Sequence, residues 1–165
     1  MRPEHSPKGF KLRKFLSKMP KVITVFGATG GQGGGVVSAL LKAINSERKD
    51  YAVRAITRNP DGAKGQELKS KGCEVVKCDL DDKESVEQAI RGSYGVFLVT
   101  NYWEHFSKEK EIEQGKRVID VCGALGVKHL IYSGLEHVKK VIGIECGKFL
   151  FLDNSLSNYF CDLIT

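Results

Sequence analysis

No apolar run in this chain approaches the roughly 20 residues that span a bilayer, so a transmembrane helix is not expected. There is no C-x-x-C pair. The five cysteines (Cys73, Cys78, Cys122, Cys146 and Cys161) are odd in number, and most lie inside apolar runs. This speaks against a disulfide framework or zinc site and for a reducing, intracellular compartment, cytoplasmic or nuclear. The N-terminus lacks the continuous apolar segment of a secretory signal. His105, His129 and His137 are neither closely spaced nor joined to carboxylates, so no metal site is expected.

Acidic side chains are scarce in one place only. Residues 1–21 hold seven basic side chains (Arg2, Lys8, Lys11, Arg13, Lys14, Lys18 and Lys21) against a single acid, Glu4. That excess accounts for the whole net charge of +6, because residues 22–165 carry nineteen basic and nineteen acidic residues. The folded part therefore has no basic excess to lay along a nucleic acid, and any such contact falls to the leader. Residues 1–21 read most simply as a disordered basic leader. A nuclear-import or nucleic-acid-contacting patch and a mitochondrial presequence are the sharper alternatives. Translation starting at Met19 would leave the domain without this leader.

With 41% hydrophobic and 28% charged residues, the 165-residue chain suits one soluble globular domain. Its organising stretch is Val22 to Gly35, an apolar β-branched run that breaks into glycine and then feeds an apolar helix from Val36. Gly27, Gly30 and Gly33 fall at the spacing G-x-x-G-x-x-G, with Ala28, Thr29, Gly31 and Gln32 between them. After a strand and before a helix, that spacing predicts a dinucleotide site. Gly27 serves the sharp exit from the strand, Gly30 the approach of the pyrophosphate, and Gly33 the close packing of helix on sheet. The phosphates would meet free N–H groups at the positive end of the helix.

Further strands are expected at 51–57, 73–78, 95–99 and 127–132, and helices at about 61–71, 83–90 and 107–124, with Asp81 or Asp82 capping the second of these. This alternation predicts an α/β fold, a doubly wound parallel sheet of Rossmann-like order 3-2-1-4-5. Ligands of such sheets bind beyond the carboxyl ends of the strands. The glycine loop, Arg58, Asp79-Leu80 and Thr100-Asn101 all lie at those ends. The second strand ends in Thr57-Arg58-Asn59 with no acid to hold the ribose hydroxyl of NAD, and the arginine favours the 2′-phosphate of NADP.

Taken together, Gly27-Ala-Thr-Gly-Gly-Gln-Gly33, Thr57-Arg-Asn-Pro60, Asp79-Leu-Asp-Asp82, Val99-Thr-Asn-Tyr-Trp103, Gln114-Gly-Lys116 and Val127 to Leu135 resemble the NmrA-like family of atypical short-chain dehydrogenase/reductases. The resemblance covers about residues 20–140. It implies NADP(H) held by the glycine loop, by Arg58, Asn59 and their neighbours, by Asp79 and Leu80, and by Thr100, Asn101 and Tyr102. It also implies a redox-sensing regulator of other proteins or of transcription. The domains then read as a leader (1–21), an NADP-binding domain (22–140) and a divergent apolar tail (141–165), with the chain truncated before the family's substrate lobe.

Reduction in the wider dehydrogenase family needs a tyrosine and a lysine four residues apart, the lysine lowering the tyrosine pKa. Tyr51, Tyr94, Tyr102, Tyr132 and Tyr159 are followed at that distance by Ala55, Leu98, Phe106, Glu136 and Leu163. No such pair exists, which favours a binding protein over a catalyst. The alternatives are an NADPH-dependent reductase of a quinone-like acceptor, in which the cofactor carries the chemistry, and a non-functional truncated paralogue. The unshielded fifth strand and the run Phe149-Leu150-Phe151-Leu152 predict self-association or a protein partner through residues 127–165.

Overall fold

The computed structural model of the chain describes residues 19–134. The expectations for the leader before Met19 and for the tail after Gly134 lie outside the described residues. Within them the order is β1 (Lys21–Val25), α1 (Gly31–Ser46), β2 (Tyr51–Thr57), α2 (Ala63–Ser70), β3 (Glu74–Lys77), α3 (Lys83–Ile90), β4 (Ser93–Leu98), α4 (Tyr102–His105), α5 (Lys108–Ala124) and β5 (His129–Tyr132). The five strands form one parallel sheet in the order β3-β2-β1-β4-β5, as the alternation requires.

Two helices cover each face, so the central strands are apolar on both sides. Val25, Val53 and Ala55 turn toward α1 and α2, where Ala28, Val37, Leu68 and Cys73 complete one buried cluster. Phe26, Ile56, Val96 and Leu98 turn the other way, against Val86, Ala89 and Ile90 of α3 and Val118, Val121 and Cys122 of α5. Burial pushes the Cys122 thiol up to about 12, leaving it an inert core residue. The strand period of two thus decides which helix pair each residue meets.

Two local features differ from the sequence reading, and a third settles an alternative that it left open. α1 begins at Gly31, inside the glycine run rather than at Val36, so Gly33, Gly34 and Gly35 are helical. Packing overrides the low helix propensity of glycine. A Cβ on Gly33 would lie 2.3 Å from the Gly27 carbonyl oxygen and 2.8 Å from that of Phe26, so only glycine lets α1 pass this close to the turn. Asp82, not Asp81, caps α3, accepting from the N–H groups of Glu84 and Ser85. The four-residue helix α4 lies between the strand expected at 95–99 and the helix expected at about 107–124, where no element was predicted. It ends at Phe106, whose φ of 49° is left-handed.

Candidate functional site

A crevice of about 860 Å³ lies beyond the carboxyl ends of β1 to β4. Gly27, Thr29, Gly30, Gly31, Gln32 and Gly33 form one wall, and Arg58 and Asn59 at the end of β2 form another. Asp79 and Leu80 follow β3, and Thr100 and Asn101 follow β4. These are the residues singled out from the sequence, gathered by the reversal of strand order between β1 and β4. Two others do not line it. Ala28 is 2% exposed with its methyl in the α1 cluster, and Tyr102 faces the rings of Trp103, His105 and Phe106.

The glycine wall is shaped for an anion. Gly27 leaves β1 at φ 65°, and its carbonyl accepts the Gly30 N–H at 2.9 Å, closing the turn. Gly30 caps α1 without a side chain, and the first turn of α1 contains no acid. The opening N–H groups, which no helix can satisfy internally, thus meet no carboxylate from their own turn. Two contacts tie this wall to its neighbours. Lys64 Nζ donates to the Thr29 carbonyl at 3.1 Å, and the Ser133 hydroxyl donates to Gln32 Oε1. Ser133, at the end of β5, is thereby engaged with the glycine loop.

The opposite wall is built from charged pairs. Asp81 lies 2.8 Å from Lys110 Nζ and accepts from Gln114 Nε2 at 2.7 Å; the Lys110 hydrogen bond first, then that of Gln114, holds its carboxyl below the usual range. Thr100 donates to Glu111 at 2.7 Å. Arg58 pairs with Glu104 of α4, which also accepts from Asn101 at 3.2 Å. The hydrogen bond and charge of Glu104 raise the Arg58 pKa, and the same bond lowers that of Glu104. His105 Nδ1 accepts the Ser107 N–H at 3.2 Å, which leaves Nε2 as the ring's donor. That nitrogen is buried and has no hydrogen-bond partner among the described residues.

Glu104, His105, Lys110, Gln114 and Asp81 were not picked out as crevice residues from the sequence. Gln114 and Asp81 stand within the motifs Gln114-Gly-Lys116 and Asp79-Leu-Asp-Asp82, and Asp81 is also a candidate cap. Glu104 and His105 sit on a helix too short to show periodicity. Lys110 and Gln114, four residues apart on α5, share one stripe toward Asp81.

Several observations suit a dinucleotide: a turn where a Cβ on Gly30 would stand 3.3 Å from the Gly27 oxygen, an uncapped helix start, a basic residue at the end of β2 and an orphaned donor. The NmrA-like family model matches residues 19–152. An NmrA-like family domain-containing protein of Dictyostelium discoideum is 42% identical over 132 residues, which cover 79% of this chain and 40% of that protein. The NADPH-dependent quinone oxidoreductase of Escherichia coli, solved with NADPH, is 26% identical with a TM-score of 0.65, over 86% of this chain and 45% of the other. The negative transcriptional regulator NmrA, solved with NADP, is 21% identical with a TM-score of 0.69, over 88% and 43%, a likeness of fold. The chain spans less than half the length of each of these proteins.

Proposed function

The chain belongs to the NmrA-like family, and from that premise we propose that it binds NADP(H) in the crevice and works as a redox-sensing regulator through protein partners. The observation that carries this reading is the conjunction of an uncapped, acid-free helix start at Gly30 with Arg58 facing the same space. The N–H groups of Gly31 and Gln32 receive the pyrophosphate, and the absence of a side chain at Gly30 keeps the approach open. Arg58 receives the 2′-phosphate through charge-assisted hydrogen bonds, for a preference of about 1.5–3 kcal/mol over NAD(H). Asn59, Asp79 and Leu80 flank the adenosine side, and Thr100 and Asn101 the other. Bound NADPH would supply hydride.

A binding role is favoured by the absence of a Tyr-x-x-x-Lys pair, since no residue of that type is present to donate a proton. A second reading has its own support: Trp103 lines the crevice with 64% of its surface exposed, a platform on which a quinone-like acceptor could stack, and a quinone oxidoreductase is among the similar structures. The two readings part on turnover. Following NADPH absorbance with and without a quinone should reveal saturable binding and no steady consumption; continuous oxidation would replace the sensor with the reductase.

A further inference from the structure

The end of β2 in such sheets ordinarily faces either an acid or a base, according to whether a ribose hydroxyl or a 2′-phosphate is held. This chain has both, from different elements. Arg58 directly follows β2, and Glu104 reaches it from α4 across the crevice, their side chains 62% and 43% exposed. One oxygen of the Glu104 carboxylate accepts from Arg58 Nη1, the kind of charge-assisted hydrogen bond that a phosphate oxygen would make there. Both cannot hold the arginine, because a carboxylate beside a phosphate is a like-charge pair. Asp79 and Asp81, which line the same crevice, add to that repulsion.

Resting on the NADP(H) reading above, we propose that Glu104 is a built-in competitor for the 2′-phosphate, a specificity-determining residue whose displacement from Arg58 releases α4. α4 is placed to move. It is four residues long and closes on Phe106 in the left-handed region, a conformation costly for an L-residue with a side chain. It also holds the buried Nε2 of His105 without an acceptor. A closed position with a strained residue and an orphaned donor is held by its remaining contacts, of which Arg58–Glu104 ties α4 to β2. A ligand lacking the 2′-phosphate leaves that tie intact; one carrying it breaks the tie. The crevice then reports which cofactor it holds through the position of α4 and of Trp103, the single tryptophan of the chain.

The test uses the full chain with two probes that differ by one phosphate, adenosine 2′,5′-bisphosphate and 5′-AMP. In Glu104→Gln, which keeps shape and removes charge, calorimetry should find the bisphosphate bound about three- to fivefold more tightly, the size of an exposed ion pair no longer competing. The 5′-AMP affinity should stay within about twofold. Glu104→Ala, which removes the hydrogen bond as well, should behave alike. In the wild type, Trp103 emission should shift with the bisphosphate and not with 5′-AMP. Equal bisphosphate affinities in wild type and both variants, or the same shift from both probes, would overturn the competitor while leaving cofactor binding standing. Failure of both probes to bind any of the three proteins would overturn both readings together.

Discussion

At the scale of single residues, the three motif glycines do different work. A Cβ on Gly33 would collide with backbone atoms of Gly27 and Phe26, which cannot step aside, whereas one on Gly30 meets only the Gly27 oxygen at 3.3 Å. Gly33→Ala should therefore cost the fold, by about 1–3 kcal/mol as in overpacked cores. Gly30→Val should leave stability nearer the wild type and remove cofactor binding. Urea midpoints and calorimetric titrations of both variants check this division; a Gly30→Val protein that binds normally would contradict it. The spacing of these glycines was legible in the sequence because each follows from backbone geometry. What was not legible is that α1 starts at Gly31, since helix propensity alone would not begin a helix on a glycine run. Arg58 could be read from its place at the end of a strand. Its partner Glu104 could not, because their pairing joins two elements 46 residues apart.

At the scale of elements, the alternation of apolar strands and amphipathic helices predicted order, direction and faces of the sheet, since a parallel strand buried on both sides leaves few other patterns. The contacts fixing the helices to the strand ends are polar and were missed. Arg54 within β2 donates at 2.8 Å to the carbonyls of Ala89 and Arg91 at the end of α3, and at 2.9 Å to Glu74 of β3. Arg54→Met leaves these carbonyls without their donor and should destabilise the protein by about 1–3 kcal/mol, read from denaturant unfolding. Asp81 links the loop after β3 to α5 through Lys110 and Gln114. Its folded pKa lies below the ordinary carboxylate value, so its contribution is present above about pH 4 and is lost as the pH falls through the depressed value. Wild type and Asp81→Asn should accordingly differ in stability at pH 7 and converge at more acidic pH. A difference that persists unchanged to acid would assign the effect to something other than ionisation.

At the scale of the whole molecule, the sheet is unevenly covered. On the α1 face, an apolar groove of about 320 Å³ runs between Val36, Leu40 and Ile44 of α1 and Ile131 of β5, and Ile131 is 62% exposed. β5 pairs only with β4 among the described residues. If this face and edge serve association, as proposed for residues 127–165, Ile131→Lys should shift the full chain toward monomer in light scattering during size exclusion. A wild-type chain that is already monomeric and binds no hydrophobic dye would contradict that expectation. We propose that one crevice takes NADP(H) and that Arg58 sets the preference. Its most direct test is calorimetric titration of the full chain and of Arg58→Ala with NADP and NAD. The wild type should prefer NADP by roughly tenfold or more, and the preference should collapse toward unity in the variant. An unchanged ratio in Arg58→Ala, or no binding of either cofactor to the wild type, would contradict it.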